Sequence, residues 1–255
     1  MKIGEMLIDA VKYPLLGWKQ LITLGILILI TSEIAAHYTD LNIILNLNGM
    51  AILLLLMVFI VLLAVLGFIE AGYTFKIIES SVKGIEIPPK FNGLISMFKH
   101  GITETIILTI YFIAPLILIL AGIDGLSTQI NFGIPEISIY VSLGLIFFGI
   151  LLGFVADIIF TIAIPHMASS SGTFKDAFNI SRIFRKIKQI GLKKLLIAYL
   201  GIIIGVVLII GPIFEETIAS FNIFGFVIGE LIIAPYILMF YARFIALIYK
   251  SNSSP

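Results

Sequence analysis

Three acidic side chains interrupt long apolar stretches of this sequence, and they are the residues best placed to do chemistry. Glu230 stands near the middle of one such stretch, whereas Glu70 and Asp157 lie nearer the ends of two others. An ionisable group inside an apolar helix is costly to keep there, so it is a functional hypothesis by default. A carboxyl in that setting can transfer protons or cations. Pro235, shortly after Glu230, would free a backbone carbonyl beside it.

Each of these acids also has a plainer interpretation. Glu230 can be a protonated structural group that is hydrogen-bonded to a neighbouring helix. Glu70 can pair with Lys76 or Arg243 near the end of its helix, and Asp157 can form a similar interfacial contact. If the helices that carry them are arranged pseudo-symmetrically, the three acids converge on one cavity.

Motifs for catalysis and metal binding are missing from the sequence. His37, His100 and His166 are scattered, with no HExxH motif, and the chain has no cysteine. There is also no GxSxG, no glycine-rich phosphate loop and no dinucleotide fingerprint. The sequence therefore predicts no metal site, no cofactor and no enzymatic activity.

The composition is that of a membrane protein. Hydrophobic residues make up 60% of the 255 residues, charged residues make up 12%, and the mean hydropathy is +1.17. A helix needs about 20 mostly apolar residues to cross the hydrocarbon core. Six stretches meet that length, at 15–38, 51–78, 104–123, 137–165, 195–214 and 217–249. We therefore expect an all-α integral membrane protein, a six-transmembrane-helix bundle that forms a single domain over residues 1–255.

The distribution of charge predicts how this bundle lies in the membrane. All 16 lysine and arginine residues fall in the N-terminal segment, the loops after the second and fourth stretches, or the C-terminal end. The three opposite loops, around Asp40, Asp124 and the turn at Glu215 and Glu216, carry only acids. By the positive-inside rule, both termini are cytoplasmic and the protein is multi-pass in the plasma membrane. We expect the first stretch to be a retained helix, because Glu33 interrupts its end and no small-x-small cleavage site follows.

The longest basic loop has a pattern of its own. Residues 173–191 begin with a capping box from Thr173 to Asp176 and continue with apolar residues at helical spacing. Phe174, Ala177, Phe178, Ser181, Phe184 and Ile187 share one face, and the basic side chains Arg182, Arg185, Lys186 and Lys188 lie toward the other. This pattern predicts a short amphipathic cytoplasmic helix that contacts anionic lipid headgroups. A plain connector that follows the positive-inside rule is the alternative.

Glycine spacing predicts where helices approach closely. The GxxxG motif occurs three times, as Gly149 with Gly153, Gly201 with Gly205, and Gly225 with Gly229. Small residues at this spacing let helix backbones come together. The pattern favours a tight core of the last three helices, with lipid-facing or oligomeric use as the alternative.

Three segments carry a resemblance to a known family. They are DAVKYPLLGWKQLITLGI from Asp9, EAGYTFKIIESSVKGIEIPPKFNGLISMFKHGI from Glu70 and SGTFKDAFNISRIF from Ser171. Together they resemble archaeal polytopic membrane proteins grouped as domain of unknown function 4013. The TFKDAF segment is also loosely similar to the membrane region of some glycerophosphodiester phosphodiesterases, without their catalytic domain. The resemblance implies six helices in an archaeal plasma membrane and implies no activity or binding residues.

These observations favour an uncharacterised, non-enzymatic multi-pass protein that organises lipid or a membrane complex. A small-solute or ion transporter that uses the intramembrane acids is the alternative, and an intramembrane hydrolase ranks last for lack of a nucleophile facing a base. We expect membrane lipids as partners, anionic headgroups among them, and no nucleic acid. Protein partners, lipid preference and oligomeric state stay open.

Overall fold

The computed structural model describes residues 1–38, 49–132, 136–170, 172–204 and 227–251, and most of these residues are helical. No strand occurs among them. Eight α-helices are described: α1 Ile3–Lys12, α2 Trp18–Tyr38, α3 Gly49–Val82, α4 Leu94–Phe132, α5 Glu136–Ser169, α6 Ile180–Ile190, α7 Leu192–Ile204 and α8 Ala234–Lys250. A 3-10 turn at Tyr13–Gly17 joins α1 to α2, a second at Phe174–Phe178 precedes α6, and a π turn at Gly229–Ile233 leads into α8.

Five helical segments are long and apolar enough to cross a membrane: 3–35, 50–82, 94–127, 139–169 and 229–250. They confirm an all-helical membrane protein. The predicted fifth stretch, 195–214, is described only as far as residue 204. The turn at Glu215 and Glu216 and the start of the sixth stretch lie outside the described residues. The count of six spans therefore stays a prediction.

The described helices extend well past the predicted apolar stretches. α4 begins at Leu94, directly after Gly93 with its positive φ of 74°, so Glu104 lies inside the helix and not at its start. α5 continues through Pro165 to Ser169. At about 1.5 Å per residue, helices of this length exceed the hydrocarbon core of about 30 Å. Their ends therefore project into the interface, where polar side chains can be accommodated.

Glycines bring α3 and α4 into backbone contact at two places. A Cβ atom on Gly72 would clash with the carbonyl of Met97, and one on Gly101 would clash with the carbonyl of Phe68. Each helix thus has one glycine that lies directly against the backbone of the other helix. Such close approach is the usual way in which membrane helices gain packing contacts.

Buried side chains gather at one end of the bundle. α1 buries Met6 and Ala10, α3 buries Tyr73, and α8 buries the run from Phe244 to Ile248. The opposite halves of α3, α4 and α5 expose most of their large apolar side chains, as a helix in contact with lipid does. None of the most apolar part of α3 is buried within the protein. The packed core therefore sits where the termini and connecting segments meet.

The connection between α3 and α4, residues 83–93, is bound to this core through its backbone carbonyls. Arg243 donates to the carbonyl of Ile85 at 2.8 Å, Tyr13 to that of Ile87 at 3.5 Å and Tyr73 to that of Pro89 at 2.9 Å. The three acceptors are spaced two residues apart along a connection that bends at Ile87. Lys76 adds bonds of 2.9 Å to the carbonyls of Lys90 and Asn92. The double proline at Pro88 and Pro89 suits this segment, because proline has no N–H that would need a partner.

Candidate functional site

An ion pair between the first and last described helices anchors the packed end of the bundle. Arg243 of α8 is only 4% exposed, and its guanidinium donates to Asp9 of α1 at 2.7 Å through Nε and at 3.2 Å through Nη2. Its Nη1 donates to the Ile85 carbonyl, and its Cζ atom lies 4.8 Å from the ring centroid of Tyr13. The planar, five-donor guanidinium suits this arrangement better than a lysine would. Arg243 therefore holds three chain segments together.

Segments that carry many of the basic residues meet at this same end. α1, residues 83–93, α6 and the C-terminal turn of α8 form what we call the basic end. Lys194 donates to the carbonyl of Met1 at 3.2 Å, and the Lys186 ammonium lies 4.8 Å over the ring of Tyr249. The one-sided charge distribution of the sequence thus corresponds to one end of the folded bundle.

The predicted amphipathic segment is divided into two elements. The Thr173 hydroxyl donates to the Asp176 carboxyl at 2.7 Å, whereas in the predicted capping box it would accept from the Asp176 backbone amide, and the residues that follow form a 3-10 turn. The turn is held to α4 by Tyr111, which donates to the Ala177 carbonyl at 2.8 Å and stacks on Phe178 at 5.5 Å. The α-helix itself begins only after Asn179, whose side chain accepts from the Arg182 amide.

Helix α6 buries an apolar face that differs from the one the sequence predicts. Ile183, Ile187 and Ile190 are buried, whereas Phe184, expected on the apolar face, is 46% exposed. The element packs on the ends of α5 and α8. Each buried isoleucine contributes about 2 kcal/mol, so three are enough to hold a helix of this length in place.

The four basic residues of α6 do not all point the same way. Arg182, Arg185 and Lys188 are exposed. Lys186 is half-buried against Tyr249, whose hydroxyl lies 2.9 Å from Nδ1 of His166. Burial lowers the pKa of the Lys186 ammonium, because the charged form is partly removed from water. Three of the predicted headgroup contacts are therefore open to solvent or lipid, and the fourth packs inward.

Two of the three sequence-predicted acids lie together inside the bundle. Thr31 of α2 donates to the Glu70 carboxyl at 2.8 Å. Glu230, in the π turn, lies within electrostatic range of Glu70. Glu70 pairs with neither predicted partner, because Arg243 binds Asp9 and Lys76 binds the connection before α4.

The backbone around Glu230 is irregular. The Ala234 amide donates to the Gly229 carbonyl in the π pattern, and Pro235 has no N–H with which to bond the carbonyl four residues earlier, that of Leu231. That carbonyl abuts α2, where a Cβ on Gly25 would clash with it. π turns of this kind are frequent at functional sites. The sequence signal was Pro235, and the partner helix was not predictable from it.

Asp157 belongs to a different group of polar side chains. The Tyr241 hydroxyl of α8 lies by Thr161 and within electrostatic range of Asp157 and Glu104. The hydroxyl of Thr161, a residue only 3% exposed, and Oε2 of Glu104 are buried without a hydrogen-bond partner among the described residues. Glu104 was missed at the sequence level, because it stood at the expected start of a helix. The three predicted acids therefore do not share a single group.

The glycines of the GxxxG motifs have different surroundings. A Cβ on Gly149 would lie 2.7 Å from Ile119 of α4, and one on Gly153 would make an ordinary 3.6 Å contact with Pro115. For Gly201, no described atom lies within 4 Å. Gly229 is buried at the start of the π turn. Gly205 and Gly225 lie outside the described residues.

The described residues offer little that could bind a metal ion or catalyse a reaction. No group of three or more histidine, aspartate or glutamate side chains there is arranged to hold a metal ion. His166, Tyr249 and Ser169 are hydrogen-bonded, with the Ser169 hydroxyl 2.8 Å from that of Tyr249. The Ser169 hydroxyl also donates to the His166 carbonyl, so the network secures a helix end. The absence of an enzymatic activity stays a prediction.

Comparison with known proteins adds a family and no activity. No curated protein and no solved structure matched the chain. A family model described as "Protein of unknown function (DUF4013)" matches residues 55–214, more than half of the chain. Two of the three segments that carry the resemblance, those from Glu70 and Ser171, lie inside this range, and the segment from Asp9 lies outside it. The chain therefore belongs to the DUF4013 family of proteins of unknown function.

Proposed function

We propose that this protein is a non-enzymatic, multi-pass protein of the plasma membrane that binds anionic lipid headgroups at its basic end and there organises lipid or a membrane complex. The observation that supports the proposal is the way in which α6 packs on the bundle. Its three isoleucines hold it against the bundle while Arg182, Arg185 and Lys188 stay exposed beside membrane-spanning helices. Basic residues at a membrane surface contribute about 1 kcal/mol each to the attraction of anionic lipid.

The test is lipid retention by the full chain. The protein is purified in mixed micelles of phosphatidylglycerol and phosphatidylcholine, and the bound lipids are counted by native mass spectrometry. Replacing Arg182, Arg185 and Lys188 with glutamine is expected to lower the ratio of anionic to zwitterionic lipid. The control is Lys83→Gln, because Lys83 is exposed and already paired with Glu79. An unchanged ratio in the triple variant contradicts the proposal.

The proposal also requires six spans with the basic end in the cytoplasm. Because the chain has no cysteine, single cysteines can be introduced and labelled with a membrane-impermeant maleimide. In right-side-out vesicles, Lys2→Cys and Lys250→Cys are expected to stay unlabelled until the vesicles are opened, while Asp40→Cys is labelled at once. Immediate labelling of Lys2→Cys or Lys250→Cys would contradict the proposed cytoplasmic location of that end.

A second candidate function, proton or cation transport, is favoured by the pair of Glu70 and Glu230. The two carboxyls lie within electrostatic range of each other inside apolar helices, one bonded by the Thr31 hydroxyl and the other in a π turn, and ionisable groups in such a setting are typical of proton or ion pathways. Proteoliposomes with an internal pH dye test it. Proton uptake is expected for the wild type and for Glu79→Gln, and its loss for Glu70→Gln and Glu230→Gln. Wild-type liposomes no more permeable than empty ones would exclude proton transport.

A further inference from the structure

We propose that a cavity between α1 and the elbow joining α6 to α7 binds one anionic phospholipid, the headgroup on lysines and the start of an acyl chain on isoleucine. The inference deepens the proposed function and rests on it, but it concerns residues other than the exposed face of α6. The cavity is a wide, open groove with a volume of about 480 Å³, which is large enough for a small ligand.

The cationic side of the cavity comes from two distant parts of the chain. Lys2 precedes α1, while Lys193 and Lys194 belong to the first turn of α7. The bond from Lys194 to the Met1 carbonyl holds the two parts together. No acidic side chain is among the described residues that line the cavity. An anionic group there meets the ammonium groups of three lysines, and lysine binds phosphate as a point charge.

The other side of the cavity is apolar. Ile3, Ile190 and Ile197 line it. Ile190 is fully buried and closes the floor, whereas Ile197 is 49% exposed and faces outward along α7. Leu200, also exposed, continues the apolar surface one turn further along. A chain of methylene groups can leave the cavity along this surface.

The elbow between α6 and α7 places the lysines of the cavity next to its apolar wall. Gly191, with a φ of 88°, ends α6, and Leu192 begins α7 at once. A residue with a Cβ is strained in this conformation, so the glycine lets the chain change direction without a connecting loop. Lys193 and Lys194 therefore stand at the junction between the amphipathic helix α6 and the apolar helix α7, and Lys2 faces them from the start of α1. A free phosphate would use only the lysines, whereas a phospholipid uses both sides of the cavity.

The experiment measures binding to the full chain in detergent by native mass spectrometry. The probes are a short-chain phosphatidylglycerol, a short-chain phosphatidylcholine of equal chain length, and inorganic phosphate. We expect one molecule of phosphatidylglycerol to bind at a saturable site, and phosphatidylcholine and phosphate to bind much more weakly. Equal binding of phosphatidylcholine would overturn the role of the lysines. Inorganic phosphate that competes as well as the lipid would overturn the role of the apolar wall.

Variants separate this site from the exposed face of α6. Lys193→Gln with Lys194→Gln is expected to weaken the saturable site about thirtyfold, about fivefold for each lysine. Ile197→Trp keeps every charge but fills the apolar side, so it is expected to weaken phosphatidylglycerol and leave phosphate unchanged. The variant that neutralises Arg182, Arg185 and Lys188 keeps this site while lowering total anionic lipid. Unchanged binding in both cavity variants overturns the site, whereas unchanged lipid retention in the α6 variant overturns only the proposed function.

Discussion

At the basic end of the bundle, Arg243 makes hydrogen bonds to both oxygens of Asp9 and to a backbone carbonyl, whereas Glu104 in the interior leaves one buried oxygen without a partner among the described residues. Both groups belong to helices of similar apolar character. Removing one partner from a buried, hydrogen-bonded pair is strongly destabilising, while a buried polar atom that has no partner itself reduces stability. The difference indicates that Arg243 has a structural role and that the Glu104 carboxyl is kept for a reason other than stability.

The largest effect is expected from Arg243→Met. The change leaves the Asp9 carboxyl and the Ile85 carbonyl without their donor, and we expect the free energy of unfolding to fall by about 3 kcal/mol. The estimate is at the low end for a buried pair because Asp9 is 34% exposed. Thermal unfolding in detergent measures it. Adding Asp9→Leu to this variant should restore part of the lost stability. The control is the exposed ion pair of Lys83 with Glu79, where Lys83→Gln should lower the free energy of unfolding by no more than about 0.5 kcal/mol.

The next effect concerns the close approach of α3 and α4. Gly72→Ala places a Cβ against the Met97 carbonyl, and a backbone atom cannot move aside as a flexible side chain would. We expect a loss of about 1–3 kcal/mol. Gly67→Ala in the same helix is the matched control, because nothing lies within 4 Å of its Cβ. There the higher helix propensity of alanine should leave stability unchanged or raised by up to about 1 kcal/mol. Equal changes in stability for Gly72→Ala and Gly67→Ala would contradict the close approach of α3 and α4 at Gly72.

A smaller effect, of opposite sign, is expected from the interior acids. Glu104→Leu removes a buried oxygen without a partner, so stability should stay the same or rise by about 1 kcal/mol. Glu70→Leu removes the acceptor of Thr31, and stability should fall by about 1 kcal/mol. Thermal unfolding of the two variants side by side gives the comparison. A large loss in Glu104→Leu would mean that this carboxyl is structural after all.

The smallest effect is a pH dependence at Lys186. Its pKa is lower in the folded protein than in the unfolded chain, so the folded state binds fewer protons between the two values. Stability therefore rises as pH increases through that window toward the ordinary lysine value, and the stabilisation is lost as pH falls below the folded pKa. We expect the stability difference between the wild type and Lys186→Met to shift in favour of the wild type on going from neutral to alkaline pH. A constant difference would contradict the burial of this ammonium.

Hydropathy located much of the fold. The apolar stretches at 51–78 and 137–165 lie within α3 and α5, both of which contain a candidate span, because long apolar runs have few alternatives to a membrane helix. Helix ends were less predictable. α4 starts at Leu94 because polar residues such as Lys99 and Glu104 continue a helix as readily as apolar ones do, so the loss of hydropathy marks the membrane boundary and not the end of the helix.

The sequence by itself determined a helical membrane protein, with its basic segments grouped on one side and with Glu70, Asp157 and Glu230 embedded in apolar runs. These properties depend on composition and on local spacing. Only the tertiary structure decided which groups meet: Arg243 with Asp9 across 234 residues, Glu70 with Glu230, and Asp157 with Tyr241 and Glu104. The reason is physical. Hydropathy and helical period act within one helix, whereas the partner of a buried charge is set by how helices distant in the chain pack against one another.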